Sequence, residues 1–243
     1  MRYLKGALLV LCFWYILALG ISSPIVPYPH RVMVHLWVSL NQQSTYLHLL
    51  YSLYRMTMGI ILALFFAIPV GMAAGRIQAM DQVISPILYL LYPLPKIAFL
   101  PVFMVLFGIG DTSKIILIAV IIFFPAAVTI RDGVREISHD YLELARAYHL
   151  TGTHILRDIL WPGILPRVFS SLRITLGISL SFLFISENYA AVYGLGYFIM
   201  NSWVMAHYIS MYTGIILLSL LGLGLYILID LLERFAVPWK RRM

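Results

Sequence analysis

Residues 55–76 read RMTMGIILALFFAIPVGMAAGR, with 20 uncharged residues between the two arginines. As a helix rising 1.5 Å per residue, such a run reaches about 30 Å, the thickness of a bilayer's hydrocarbon core. The stretch predicts a membrane-crossing helix. The pattern recurs outward from it. There are 16 uncharged residues between Lys114 and Arg131 and 42 between Glu187 and Asp230, the latter enough for one helix plus a hairpin or loop. Lys96 is the only charge between Asp81 and Asp111, and Arg173 the only interior charge from Arg167 to Ser186.

These gaps predict an all-α membrane protein with six transmembrane helices, near 6–22, 54–76, 82–109, 113–132, 167–187 and 208–231. The composition agrees: 62% of the residues are hydrophobic and 11% charged, against about 25% charged in soluble domains. No polar–apolar alternation argues for a barrel. The whole chain, 1–243, reads as one membrane domain. The net charge of +7 gathers beside the apolar runs, which is a topology signal and not a nucleic-acid patch. With the N-terminus inside, the inner regions hold Arg2, Lys5, Arg76, Arg131, Arg135, Arg146, Arg157, Arg167, Arg173, Arg234, Lys240, Arg241 and Arg242. The outer side holds only Arg31, Arg55 and Lys114. Both termini are therefore expected in the cytoplasm.

The first apolar run, Gly6 to Ile21, follows Arg2 and Lys5. It reads as a retained first span in preference to a cleaved signal peptide. Pro24, Pro27 and Pro29 then argue against a helix, and the part from His35 to Tyr54 is expected to lie along the interface as an amphipathic helix. The single cysteine, Cys12, reads as an inert buried thiol.

A polar insert occupies residues 132–166. Asp140 can cap a short helix running to Tyr148. His149 to Gly152 reads as a turn, and Thr153 can start a second short helix through Trp161, stopped by Pro162. Two short helices at a sharp angle would make a cytoplasmic knob; a merely solvated loop is the plain alternative.

Candidate pathway residues follow from what lipid does not tolerate. Pro93, Pro95 and Pro101 fall in the third span and predict a broken or tilted helix lining a cavity, or a packing kink. Lys96 is a cation deep in that span, facing a conduit or snorkelling to the interface. Glu187 closes span five, either paired with Lys96 or Arg55 or marking the outer interface. Gly194 and Gly196 permit a tight backbone path. Gly108-Ile-Gly110 before Lys114 lacks the spacing of a phosphate loop, so no ATP site is visible. The histidines show no metal spacing, and no catalytic group or cofactor is implied.

The insert YLELARAYHLTGTHILRDILWPGILP, residues 141–166, resembles the cytoplasmic loop motif of ABC-importer permease subunits. That motif runs Glu-Ala-Ala, three residues, Gly, nine residues, Ile, one residue, Leu-Pro. Glu143, Ala145, Ile159 and Pro162 match it; Leu144 and Trp161 stand in the middle-Ala and Leu places. The Gly place falls on His149, with Gly152 three residues late, so the angle between the two short helices is left open. PLPKIAFLPVFMVLFGIGDTSK (93–114) and ENYAAVYGLGYFI (187–199) resemble the subgroup importing nitrate, sulfonates, taurine and thiamine precursors. The likeness spans about 45–235.

The resemblance implies a permease subunit of a bacterial inner membrane that imports a small, anionic solute. It would form a homodimer, served by separate ATP-binding cassette ATPase subunits and an extracytoplasmic substrate-binding protein. Residues 141–152, with Glu143, Ala145, Arg146, His149 and Gly152, would form the ATPase-coupling helix, completed by Ile159 and Pro162. Arg157 and Arg167 would pack it against the membrane surface. Pro93, Pro95, Lys96, Glu187, Gly194 and Gly196 would border the pathway. A vitamin-importer coupling component is the nearest alternative, but it calls for Ala-Arg-Gly where this chain has Ala145-Arg146-Ala147. A secondary transporter calls for an internal repeat and more ionisable groups in the spans. A membrane enzyme calls for clustered His, Asp or Glu.

Overall fold

A computed structural model describes residues 2–241. The side chains of Arg2, Lys5, Arg146, Lys240 and Arg241, and all of Arg242, lie outside the described residues. The described residues contain helices and no strand. In chain order these are α1 (Arg2–Ile21), α2 (Pro29–Ser39), α3 (Gln43–Arg76) and α4 (Gln78–Leu91). A 3₁₀ turn (Lys96–Phe99) leads into α5 (Leu100–Phe107), followed by α6 (Asp111–Arg135) and α7 (His139–Ala147). Then come α8 (Gly152–Glu187), α9 (Leu195–Val204) and α10 (Tyr208–Ala236).

Four helices, α3, α6, α8 and α10, are long and apolar enough to cross a membrane. A fifth candidate is α4 joined to Lys96–Phe107, bent by 90°. The bend falls at Tyr92–Pro95, where two prolines remove backbone donors and exclude the preceding residue from helical geometry. The expected break in the third span is thus present. Pro101 lies in the first turn of α5, where its missing N–H has no partner to lose. The apolar part of α1 is the shorter stretch Leu8–Ile21.

Three expectations are corrected. Pro29 does not deny a helix but begins α2, because a proline at the first helical position is already set for the turn. The stretch from His35 to Tyr54 is no single interfacial helix: α2 ends at Ser39, and α3 starts at Gln43 as part of a 34-residue helix. Cys12 is exposed.

The chain forms two compact units, with α3, α8 and α10 contributing to both. One comprises Met1–Tyr54 and Phe184–Leu221. In it Trp14 of α1 stacks on Tyr212 of α10, ring centroids 5.5 Å apart. His35 Nδ1 lies 3.1 Å from the Thr213 hydroxyl and 3.2 Å from that of Ser39.

The other unit comprises Arg55–Leu183 and Gly222–Met243. Its packing follows from a repeat in the opening stretch. Gly59, Ala63, Ala67, Gly71 and Gly75 recur every fourth residue along α3, and Ile118, Ile122, Ala126, Ile130 and Val134 do so along α6. The small row lets the backbones approach. A Cβ added at Gly71 would lie 2.7 Å from the Ala127 carbonyl oxygen, and one at Gly75 2.8 Å from that of Arg131. Leu100 of α5 packs with Leu117 and Ile121 of α6, joined by Phe103 and Phe182.

Several charged groups in this unit are paired across helices, as a low-dielectric setting favours. Arg55 meets Asp111 at 2.6 Å. Asp81 of α4 receives Arg131 at 2.6 Å and Arg135 at 2.5 Å, both from α6. Arg173 of α8 meets Asp230 at 3.0 Å and Glu233, both on α10. Lys114, placed by sequence at the outer edge, is buried and donates to the Gly110 carbonyl at 3.1 Å.

Candidate functional site

The sequence-predicted residues fall into three places. The first is the arm between α6 and α8. Ser138 Oγ accepts the Asp140 N–H at 3.3 Å, so the residue capping α7 is Ser138 and not Asp140. Ala145 is buried at 2% exposure, while Glu143 is exposed. After α7, His149 adopts φ +51°, and the Leu150 N–H donates to the Ala145 carbonyl at 2.9 Å. A left-handed residue followed by this 6→1 bond is a Schellman stop. The backbone shape that favours glycine is therefore kept with histidine in place.

The second short helix is not stopped by Pro162. Residues Gly152–Glu187 form one helix that passes through Pro162 and Pro166, correcting the expected end of the insert. The turn Ile155–Leu160 is π-helical. The Pro162 ring needs space at the Asp158 carbonyl, and the wider turn supplies it. Helix α7 packs against this turn, in which Ile155 and Leu160 are buried and Ile159 is half-buried. Arg167 pairs with Glu136 at the end of α6. Arg157 projects away and meets only its neighbour Asp158, at 3.8 Å.

Sequence reading assigned the range 141–152 but no contact face. Tyr141, Leu144 and Tyr148 are 62%, 55% and 73% exposed. Their spacing of i, i+3, i+7 puts them on one side of α7, a signal that was available in the sequence. This is an exposed apolar stripe on a short helix, a pattern that helix-in-groove partners use.

The second place is the bend. Pro93 and Pro95 form it, and Lys96 opens the 3₁₀ turn beyond it. The Lys96 ammonium donates to the Tyr92 carbonyl. It lies 5.1 Å from the Tyr92 ring centroid and 5.2 Å from that of Phe124. Two aromatic faces and a carbonyl hold this cation, and among the described residues no carboxylate pairs with it.

The third place is the start of α9. Glu187 is fully buried, which overturns its reading as an interface marker. The Ser52 hydroxyl donates to its carboxylate, 2.8 and 2.9 Å from the two oxygens. The Gly196 N–H donates to Oε2 at 2.7 Å, and the Leu195 N–H to Ser52 Oγ at 2.8 Å. The otherwise orphaned first-turn donors of α9 are thereby satisfied, with a negative charge at the positive end of the helix dipole. The two glycines serve different needs. Gly194 has φ +142°, whereas a Cβ at Gly196 would lie 2.5 Å from the Phe184 carbonyl oxygen. His48 Nδ1 sits 3.1 Å from both the N and the O of Gly194. Ser52 and His48 were not foreseen, since they lie 135 and 146 residues from their partners.

The described residues thus present a short arm packed on the start of a long helix, a bent helix pair bearing a cation, and a carboxylate-capped helix. The chain is similar to known proteins. The taurine transport system permease protein TauC of Escherichia coli is 31% identical over 239 residues, covering 96% of this chain and 87% of that one. The nitrate import permease protein NrtB of Synechococcus elongatus is 26% identical over 203 residues, 79% of this chain and 73% of that one. A chain of the MetNI methionine ABC transporter, in an inward-facing conformation, superposes with a TM-score of 0.68 at 22% identity, covering 78% of this chain and 94% of that chain. Residues 48–238 match the binding-protein-dependent transport system inner membrane component family, and the chain belongs to that family of transport permeases.

Proposed function

We propose that this chain forms the translocation pathway for a small anionic solute and is driven inward-to-outward and back by ATP hydrolysed in a separate subunit. Relatives named for taurine, aliphatic sulfonates and nitrate support the solute class. The observation that carries the mechanism is the continuity of α8. Helix α7 packs on the π-helical turn, and that turn and the following span are one helix, α8, so a force applied to α7 is passed by direct contact to the span.

Two copies of this single permease domain pair across the pathway. ATPase subunits dock on α7 through Tyr141, Leu144 and Tyr148, with Glu143 and Arg146 on the same short helix and His149 and Gly152 setting the turn. Ile159 and Pro162 belong to the π-helical junction that seats the arm. A substrate-binding protein delivers solute to the outer face. ATP closes the ATPase pair, the arms move together and the pathway opens outward; hydrolysis resets it. Pro93, Pro95 and Lys96 border the pathway at the broken span, and Glu187, Gly194 and Gly196 hold α9 near its outer end.

The six spans of the bacterial inner-membrane form are α1, α3, the bent α4–α5 pair, α6, α8 and α10. The 20 residues of α1 reach about 30 Å as a helix, which supports counting it. The excess of lysine and arginine at the α7 end supports cytoplasmic termini.

The test is reconstitution with the ATPase and binding protein in proteoliposomes. Glu143→Ala with Arg146→Ala is expected to lower solute-stimulated ATP hydrolysis about tenfold or more, equivalent to about 1.4 kcal/mol of lost coupling. Unchanged stimulation would refute the assignment of α7 as the coupling element.

A further inference from the structure

A cavity of about 280 Å³ lies among α4, α6 and α8, beside the bend that carries Lys96. It has room for about nine waters at ~30 Å³ each. Its polar lining consists of hydroxyls: Tyr89, Tyr92, Thr129, Ser171 and Thr175.

The protons of these hydroxyls can be accounted for one by one. Tyr89 Oη accepts from Arg131 Nη1 at 3.2 Å, so its own proton remains to be given. Thr175 donates to the Ser171 carbonyl at 3.0 Å. Ser171 is 3% exposed, and its buried hydroxyl has no hydrogen-bond partner. Among the described residues the Tyr92 and Thr129 hydroxyls have none either. Ser171 is thus the buried hydroxyl left without a partner, Tyr89 and Tyr92 are exposed at the rim, and no carboxylate lines the space. An unmet buried donor calls for an acceptor, and the neighbouring rim hydroxyls can turn their protons toward the same guest. A ligand that only accepts, with several oxygens on one centre, fits this set.

Cations stand behind two of the hydroxyls without entering the cavity. The Lys96 ammonium lies over the Tyr92 ring, and Arg131 holds Tyr89 while its charge is shared with Asp81 and Asp132. The Lys96 charge, without a carboxylate among the described residues, attracts an anion, while only neutral donors would touch it. Such a site holds a solute weakly enough to release it, as conduction requires.

We propose that this cavity is a transit subsite for the oxyanion group of the solute, such as a sulfonate or carboxylate, held by the Tyr89, Tyr92, Thr129 and Ser171 hydroxyls. The subsite rests on the importer reading above and specifies where the solute's charged end is carried.

The experiment reads the cavity separately from transport. In a Cys12→Ser background, Ser171→Cys and, independently, Thr129→Cys are assembled with the ATPase in nanodiscs. Each is treated with the anionic sulfonatoethyl and the cationic trimethylammonioethyl methanethiosulfonate. The anionic reagent is expected to react about tenfold faster, as a cleft of matching potential concentrates its ligand. Excess methanesulfonate is expected to slow it, and tetramethylammonium to have no effect. Equal rates, a faster cationic reagent, no protection by methanesulfonate, or no labelling at either position would overturn the subsite. Failure of taurine uptake alongside anion-selective labelling would remove the importer reading and leave the oxyanion site. Uptake alongside charge-blind labelling would do the reverse.

Discussion

His149 illustrates how one residue can meet a backbone demand that its identity disguises. The sequence shows a missing glycine; the structure shows φ +51° and a closed Schellman bond. A side chain in the left-handed region costs about 1–2 kcal/mol, part of which glycine's freer unfolded state would offset. His149→Gly is therefore expected to stabilise the protein by up to about 1 kcal/mol, read as a raised midpoint in thermal unfolding, with coupled ATP hydrolysis retained. A lowered midpoint would mean that the imidazole makes contacts outweighing the strain. Glu187 is the opposite case. Its place at the end of an apolar run is plain in the sequence, but the donors that make its charge tolerable come from Ser52 and Gly196. Nothing local announces Ser52, because a serine inside an apolar helix looks the same whether it serves a carboxylate or merely its own helix.

At the scale of elements, the long helices were legible and their joints were not. Uncharged runs located α3, α6, α8 and α10, because lipid excludes charge over a fixed length. The bend in the third span was legible too, since Pro93 and Pro95 can have few other consequences. The continuity of α8 through Pro162 was not, because a π-helical turn absorbs the proline and leaves no sequence mark. The four-residue row of small side chains on α3 was present in the opening stretch, but its partner row on α6 gives it meaning. Gly71→Val is expected to drive these helices apart, since its added carbon meets the Ala127 carbonyl, a backbone atom that cannot rotate away. The cost is about 1–3 kcal/mol, checked by thermal unfolding in detergent against the milder Ala73→Val, which lies off the row. Equal stability of the two variants would contradict a close α3–α6 approach.

At the scale of the whole molecule, the distribution of lysine and arginine predicts topology. A C-terminal green fluorescent protein fusion is expected to fluoresce, and a C-terminal alkaline phosphatase fusion to be inactive, in intact bacteria; the reverse pair of results would invert every side assignment made here. The sequence by itself determined that the chain is helical and belongs in a membrane, and where its long apolar helices run. Those properties depend on run length and charge, which are sums over neighbours in the chain. Only the tertiary structure decided which helix faces approach, how Glu187 is satisfied, and that four hydroxyls from three helices share one cavity. Those depend mostly on residues far apart in the chain meeting in space, and no local pattern encodes which of many chemically similar helix faces will do so.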